Sequence, residues 1–314
     1  MMKKISIIVP VYYNEQNLED LYDSLNKIVF KELDMDYELI MIDDGSGDGS
    51  YEIMKKLRNI DRRVKLVKMA RNFGSHVALL AGMSYATGDC VTCAPADLQD
   101  PPENILKMLE KWKAGAKVVL AVRKDREESL MQKFFSNSYY RLMGRFALKD
   151  MPKGGFDSFL IDRKVAKIIC EMEEKNTTIM GQILWCGFKH EMIYYVRRKR
   201  EKGKSRWTFS KKVKYFIDSF VSFSYVPIRF ASVVGILASL ASLAWIVFIV
   251  CIKIFVGIDT DGWTTLMAVL LFSSGLILLT LGVIGEYLWR IFDTVRNRPI
   301  FIVEETKGLK GDNR

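Results

Sequence analysis

Two long uncharged stretches near the C-terminus limit most strongly what this chain can fold into. Residues Phe230 to Ile252 and Trp263 to Gly285 each run for 23 residues without a charged side chain. As helices they would each be about 34 Å long, enough to cross a hydrocarbon core of about 30 Å. A buried helix of a soluble protein seldom stays uncharged over such a length. The sequence therefore predicts two membrane-spanning helices.

The charges that flank these stretches predict their orientation. The connection Lys253 to Gly262 carries one Lys and two Asp, whereas the outer flanks are rich in Lys and Arg. The positive-inside rule then places both chain ends in the cytoplasm. Glu286 and Arg290 are four residues apart and are expected to form an ion pair just outside the bilayer.

Basic residues also concentrate before the first span. The chain has a net charge of +10, and residues 189 to 214 hold eleven Lys or Arg against two Glu. Such a block indicates a polyanionic partner. Its place beside the spans favours lipid headgroups or phosphates, and no nucleic-acid-binding motif accompanies it, so we expect no nucleic-acid partner. Residues 209–229 mix basic and aromatic side chains, as in a helix on a membrane surface. Residues 130–148 show a similar mixture, for which a core-packed helix is an equal alternative.

The five cysteines are an odd number without a visible disulfide framework, and they fit a reducing compartment. Cys90 and Cys93 lie in an apolar run, which predicts buried thiols rather than a zinc site. The first residues carry too short an apolar run for a cleaved leader.

The first 208 residues alternate between strand and helix patterns. Apolar strand patterns cover residues 5–9, 37–42, 64–69, 90–94 and 116–122, and helix patterns cover residues 17–29, 51–60, 75–86 and 102–113. This alternation predicts an α/β fold with a mostly parallel sheet and helices on both faces.

Three polar motifs follow the predicted strands. They are Val9 to Glu15 after the first strand, Asp43 to Ser46 after the second, and Ala96 to Glu103 after a later one. Ligands of parallel sheets bind beyond the carboxyl ends of the strands, so we expect the three motifs to converge on one site. Their carboxylates suit ribose hydroxyls, base edges and a hard divalent cation such as Mg²⁺ or Mn²⁺, which neutralises a diphosphate leaving group.

These motifs resemble those of the family 2 glycosyltransferases of the GT-A fold. Within that family the chain is similar to the polyprenyl-phosphate glycosyltransferases, which include dolichol-phosphate mannose synthases and undecaprenyl-phosphate glucosyltransferases. The resemblance extends over nearly the whole chain. It includes the three motifs, the two spans and three further segments, which are Arg71 to Gly74, Gly155 to Phe159 and Gly203 to Trp207.

The resemblance implies a role for each matching residue. The nucleoside, expected to be uridine, would be held by Pro10, Tyr12, Glu15, Asp43 and Asp44. The metal would be held by Asp97 and Gln99, and Asp97 and Asp157 would be the catalytic residues. The phosphates would be met by Arg123, Arg126, Arg200, Lys204 and Arg206.

The chain departs from the family pattern at two positions. The metal motif usually reads Asp-Ala-Asp-Leu-Gln, but Pro95 replaces the first Asp here, so one carboxylate is missing. We therefore expect a lower affinity for the cation. Tyr13 stands where many relatives have Asn, which leaves the role of Asn14 open.

The resemblance predicts an inverting transfer of one sugar from UDP-glucose or UDP-N-acetylglucosamine to polyprenyl (undecaprenyl) phosphate at the cytoplasmic membrane, for cell-envelope glycosylation. The predicted divisions are a catalytic domain over residues 1–208, a juxtamembrane segment over 209–229, a transmembrane pair over 230–290 and a cytoplasmic tail over 291–314. A homo-oligomer is expected from the relatives alone. The alternatives are a processive polysaccharide synthase, whose Gln-x-x-Arg-Trp motif has Gly203 at its first position here, and a non-catalytic sensor of nucleotide-sugars.

Overall fold

The chain forms two compact units. The computed structural model describes residues 3–125, 141, 143–145, 147–148, 150–152, 155–172, 174, 177–197, 218, 220–256 and 262–309. One unit combines the chain up to Phe220 with the C-terminal residues from Pro299, and the other is Val221–Arg298.

The first unit consists of eight strands and six helices within the described residues. The strands are β1 (Lys4–Val11), β2 (Asp36–Asp43), β3 (Val64–Met69), β4 (Cys90–Cys93), β5 (Val118–Asp125), β6 (Phe156–Asp162), β7 (His190–Val196) and β8 (Val303–Lys307). The helices are α1 (Leu18–Leu25, extended by a π-helical turn over Asn26–Phe30), α2 (Ser50–Ile60), α3 (Ser75–Tyr85), α4 (Glu103–Lys113), α5 (Arg163–Glu171) and α6 (Ile179–Trp185).

All eight strands belong to one sheet, in the order β7-β5-β6-β4-β1-β2-β3-β8. Strand β1 pairs in parallel with β2 and β4, β2 pairs in parallel with β3, and β5 pairs in parallel with β7. Only β6 and β8 run the other way, since β6 is antiparallel to β4 and β5, and β8 is antiparallel to β3. The predicted α/β fold with a mostly parallel sheet is confirmed.

The sheet separates two apolar cores, because alternate residues of a strand point to opposite faces. Ile5, Ile7 and Val9 of β1 lie in the core that α1, α2 and α4 cover. Ile8 of the same strand lies in the core that α3, α5 and α6 cover. Because helices cover both faces, we expect the ligand site at the ends of the strands. Cys90 and Cys93 are buried free thiols, as predicted, and burial raises the pKa of each to about 12.

The second unit contains two long helices, α7 (Val226–Val256) and α8 (Trp263–Val295). Both are long and apolar enough to cross a membrane, over Val226–Ile252 and Thr265–Val295. Arg290 Nη2 lies 3.1 Å from Glu286 Oε1, so the predicted ion pair is present. Most of the predicted juxtamembrane segment lies outside the described residues.

The C-terminal residues contain a strand that the sequence did not predict. Residues Val303–Lys307 form β8, which pairs with β3 at the edge of the sheet. Tyr51 donates a hydrogen bond of 3.0 Å to Glu305, and Lys68 lies 2.9 Å from Glu304. The chain therefore returns to the first unit after α8.

Candidate active site

The predicted site residues that the structure describes lie at one edge of the sheet. This edge holds the carboxyl ends of the parallel strands and the start of the antiparallel strand β6. In sheet order, this edge begins with Tyr195 and Arg197 at β7, Arg123 on β5 and Asp157 on β6. It continues with Asp97 and Gln99 in the loop after β4. Next come Pro10 at the end of β1, Tyr12 and Glu15 in the loop that follows it, and Asp43 and Asp44 at the end of β2. The predicted convergence of the three motifs is present in the topology.

The loops after β1 and β2 are joined by hydrogen bonds. Tyr13 N–H donates to Ser46 Oγ at 3.1 Å, and Asn14 N–H donates to Ser50 Oγ at 3.0 Å. Glu15 accepts a hydrogen bond of 3.0 Å from Gly49 N–H, and a Cβ at Gly49 would lie 2.5 Å from the Glu15 carboxylate. Glu15 therefore has a structural partner in the second loop. Asn14 has one too, because its Oδ1 accepts from Tyr12 N–H at 3.2 Å.

Asp44 holds the loop that follows β3. Its two carboxylate oxygens accept hydrogen bonds from Phe73 N–H at 2.7 Å and from Gly74 N–H at 2.9 Å. Burial raises the pKa of Asp44 to about 6, although the two N–H donors oppose the shift. Gly45 adopts φ +70°, and a Cβ there would lie 2.6 Å from the Arg71 backbone, so only glycine allows this approach. The carboxylate of Asp44 is thus engaged within the protein.

Asp43 differs from Asp44 in having one oxygen that no described residue pairs with. Its side chain is fully buried, and Oδ1 accepts a hydrogen bond of 3.1 Å from Ser46 N–H. Its Oδ2 is buried and has no hydrogen-bond partner among the described residues, and burial raises the pKa of the carboxyl. A buried oxygen without a partner is rare in folded proteins and requires a water or a ligand group. Asp43 is therefore the stronger candidate for a ligand contact.

The loop after β4 presents the predicted metal ligands. Asp97 Oδ1 accepts a hydrogen bond of 3.2 Å from Gln99 N–H, and Leu98 between them adopts φ +57°. Within the described part of the chain, no three His, Cys, Asp or Glu side chains are close enough to hold a metal together. The donors are oxygen atoms, as Mg²⁺ and Mn²⁺ prefer, and such ions keep phosphate and water ligands. The oxygen donors of this loop, one carboxylate and one amide, are therefore of the type that such a cation requires.

The other half of the edge contains a charged cluster. Tyr195 O–H donates to Asp100 Oδ1 at 2.8 Å and approaches Asp157 Oδ2 at 3.3 Å. Arg123 forms an ion pair with Asp157, and Arg197 Nε lies 3.8 Å from Asp100. The Asp100 side chain is 8% exposed and that of Asp157 is 29% exposed. Asp157 is therefore the carboxylate of this pair that substrates can reach.

The electrostatics of this cluster follow from its burial. Burial, and then the nearby Asp157 carboxylate, raise the pKa of Asp100 to about 6. Burial and the two carboxylates also raise the pKa of Tyr195, so this hydroxyl keeps its proton at neutral pH. Two carboxylates and two guanidinium groups balance in charge, which makes their burial tolerable.

Sequence reasoning missed two members of this cluster. Asp100 lies in the third polar motif, Ala96 to Glu103, but no role was predicted for it. Tyr195 lies on a strand that was not predicted. The alternation of β7 could have indicated Tyr195, because Ile193 and Tyr195 are buried whereas Tyr194 and Val196 are exposed. Four predicted phosphate-binding residues lie outside the described residues, namely Arg126, Arg200, Lys204 and Arg206.

Comparison with known proteins identifies the family. The family model for glycosyl transferase family 2 matches residues 6–169. The chain is 40% identical over 306 residues to the uncharacterised glycosyltransferase YkcC of Bacillus subtilis, which covers 97% of this chain and 94% of that protein. It is 32% identical over 305 residues to the bactoprenol glucosyl transferase of Shigella phage SfII, with 96% and 98% of the two chains covered.

Among solved structures, the mannosyltransferase PcManGT of Pyrobaculum calidifontis, in complex with GDP-Man and Mn²⁺, is 14% identical with a TM-score of 0.46, and 90% of this chain and 88% of that chain are covered. The family match and the full-length relatives confirm the enzyme class and the GT-A fold that the sequence predicted. The chain is a glycosyltransferase and belongs to glycosyl transferase family 2.

Proposed function

We propose that this glycosyltransferase moves a single sugar from a nucleotide-sugar, UDP-glucose or UDP-N-acetylglucosamine, to a polyprenyl phosphate such as undecaprenyl phosphate. The observation that carries the proposal is the division of one sheet edge into two halves. The half at β1 and β2 offers the buried Asp43 oxygen that has no partner in the described part of the chain, and the half at β5, β6 and β7 offers the accessible carboxylate of Asp157 beside Arg123. Relatives of almost the same length are named bactoprenol glucosyl transferases, which supports a lipid acceptor.

The nucleotide would bind over β1 and β2. Pro10, Tyr12 and Asp43 lie at this part of the edge, where Asp43 Oδ2 would accept a hydrogen bond from the base or the ribose. Asp44 and Glu15 act in support, since Asp44 holds the loop after β3 and Glu15 holds the loop after β2. The resemblance implies that Asp44 holds the nucleoside. In this proposal Asp44 instead supports the nucleoside site by holding a loop.

The reaction would be a single displacement. An oxygen of the lipid phosphate attacks the anomeric carbon of the sugar, a new C–O bond forms with inversion, and the bond to the nucleoside diphosphate breaks. A phosphate monoester is largely dianionic at pH 7, because its second pKa is about 6, so the nucleophile needs little help from a base. Asp157 then orients the reacting sugar or the acceptor rather than removing a proton.

The main obstacle is the repulsion between two phosphate-bearing substrates. Positive charge from five basic side chains would offset this repulsion. They are Arg123 at the site and Arg126, Arg200, Lys204 and Arg206 in basic segments of the sequence. Asp97 and Gln99 would hold a divalent cation. When bound, that cation neutralises the charge that develops on the leaving diphosphate.

The test uses membranes that contain the full chain, with polyprenyl phosphate and labelled UDP-glucose, UDP-N-acetylglucosamine or, as a control donor, GDP-mannose, with and without Mn²⁺. We expect one labelled sugar per lipid from a UDP-sugar. Asp157→Asn should lose most of the transfer, whereas Asp23→Asn, which changes an exposed carboxylate of α1, should keep it. A polymer as the product would instead establish a processive synthase, and donor binding without turnover would establish a sensor.

A further inference from the structure

Strand β7 carries two neighbouring tyrosines in opposite surroundings. Tyr195 is 5% exposed, whereas Tyr194 is 61% exposed. The Tyr194 hydroxyl has one described contact, with the sulfur of Met192 at 3.7 Å. The Tyr195 hydroxyl instead reaches two carboxylates, Asp100 at 2.8 Å and Asp157 at 3.3 Å. The two residues form a natural pair for separating the role of one hydroxyl from that of the strand.

The Tyr195 hydroxyl shares one hydrogen between the two carboxylates. A phenol has a single hydrogen, so it donates one full hydrogen bond at a time. The two distances are those of a shared, three-centre hydrogen bond, whose stronger branch goes to Asp100 and whose weaker branch goes to Asp157. Asp100 has Arg197 as a further partner at 3.8 Å. The same Asp157 oxygen, Oδ2, also forms the ion pair with Arg123. The hydroxyl therefore ties the buried Asp100 to the more exposed Asp157 and limits how far the Asp157 carboxylate can turn.

We propose that Tyr195 is a positioning residue for sugar transfer, which fixes the Asp157 carboxylate in its working orientation by bridging it to Asp100. The proposal rests on the proposed function and names a residue that the resemblance does not assign. Tyr195 does not take part in bond making or breaking. It acts through Asp157, and Asp100 serves as the fixed point at the back of the site.

The physical reason is the requirement for precise orientation. A carboxylate that orients a reacting group is effective only in a narrow range of positions, and small displacements reduce rates strongly. Asp157 lies at the start of β6 and is 29% exposed, so packing alone holds it less firmly than Asp100. Loss of the Tyr195 hydroxyl should then reduce the rate of the chemical step while donor binding at β1 and β2 stays intact.

The experiment compares Tyr195→Phe with Tyr194→Phe in the full membrane protein. Loss of a hydrogen bond to a charged group predicts a fall in kcat of about 10- to 100-fold for Tyr195→Phe, with little change in the KM of the donor. Tyr194→Phe should match the wild type. Equal kcat values for the two variants would overturn the proposal.

A second arm separates positioning from a general effect on folding. If Tyr195 acts through Asp157, adding Tyr195→Phe to Asp157→Asn should cause little further loss, because neighbouring residues that act together are not additive. The same fold-loss in both backgrounds would contradict the proposal. Should Tyr195→Phe fail to fold, 3-fluorotyrosine at position 195 keeps the hydroxyl and strengthens it as a donor. A changed rate would then support the proposal and an unchanged rate would contradict it.

The outcome can be separated from that of the proposed function. A wild type that forms no lipid-linked sugar contradicts the proposed acceptor. In that event the same comparison of Tyr195→Phe with Tyr194→Phe is made on hydrolysis of the nucleotide-sugar, in which water replaces the lipid phosphate. A loss confined to Tyr195→Phe would still support its role beside Asp157, and equal hydrolysis rates would overturn it.

Discussion

Asp43 and Asp44 are adjacent in the sequence, yet the structure gives them different partners. Asp44 uses both oxygens for Phe73 N–H and Gly74 N–H, whereas Asp43 uses one oxygen for Ser46 N–H and leaves Oδ2 without a described partner. Adjacent side chains at the end of a strand point in different directions. One carboxylate can therefore hold a loop in place while its neighbour keeps an oxygen for which we propose a ligand contact.

This difference predicts opposite effects of two conservative substitutions. Asp44→Asn should destabilise the protein by about 1–3 kcal/mol, because an amide has one acceptor for two N–H donors. Asp43→Asn should cost little stability, since burial already raises the pKa of that carboxyl and so disfavours its charge. It should instead weaken UDP binding by about 10-fold through the lost acceptor.

Thermal unfolding of the detergent-solubilised protein and calorimetric titration with UDP measure the two effects. Each variant is the matched control of the other. Unchanged UDP affinity in Asp43→Asn would argue against a nucleotide contact at Oδ2. Wild-type stability in Asp44→Asn would show that the loop after β3 does not depend on this carboxylate.

At the scale of elements, the sequence predicted the first five strands and the helices between them. The strands and α3 are apolar runs, α1, α2 and α4 have apolar residues at helical spacing, and polar turns separate them. It did not predict β8, whose sequence Val-Glu-Glu-Thr-Lys is mostly polar and whose partner β3 is more than 200 residues away. Strand β7 was not predicted, because it overlaps the basic block of residues 189–214. The cluster around Tyr195 was not predicted either, because it depends on side chains that distant strands bring together.

The loop after β4 lacks one carboxylate of the family's metal motif, because Pro95 replaces the first Asp. The effect of this replacement on metal binding can be tested directly. Pro95→Asp would restore the family motif, and we expect it to reduce the Mn²⁺ concentration for half-maximal activity by about 10-fold, because affinity for hard cations rises with the number of charged oxygen ligands. Pro95→Asn is the control, since it also removes the proline but adds no charge. Identical Mn²⁺ titrations for the two variants would refute a metal contact at this position.

Strand β8 pairs with the side of β3 that would otherwise be exposed, which predicts a stabilising role for the C-terminal residues. Besides pairing with β3, this segment buries Leu309 and packs Ile300, Phe301 and Val303 against the core of the first unit. A chain that ends at Arg298 should lose about 3–5 kcal/mol of stability and aggregate through the exposed edge of β3.

The matched control ends at Leu309 and removes only residues 310–314. Thermal aggregation of the two truncated proteins in detergent measures the difference. Equal midpoints would mean that β8 contributes nothing to the first unit. A lower midpoint for the shorter chain alone would confirm that the C-terminal strand is part of the catalytic domain.

At the scale of the whole molecule, chain connectivity restricts the membrane topology. Strands β1 to β7 precede α7 and α8, and β8 follows them, yet all eight strands share one sheet. A sheet cannot be divided by a bilayer. If α7 crosses the membrane, α8 must therefore cross it back.

This reasoning, together with the excess of Lys and Arg outside the two spans, predicts a hairpin with both chain ends in the cytoplasm. Green fluorescent protein fused after Arg314 should be fluorescent, and alkaline phosphatase fused there should be inactive because it matures only outside the cytoplasm. Alkaline phosphatase inserted after Thr260 should be active and serves as the positive control. If the catalytic domain is cytoplasmic, phosphatase activity at the C-terminal fusion would be incompatible with the hairpin, and since β8 could then not reach β3, it would also contradict the sheet. The topology and the eight-stranded fold therefore depend on each other, and one reporter measurement tests both.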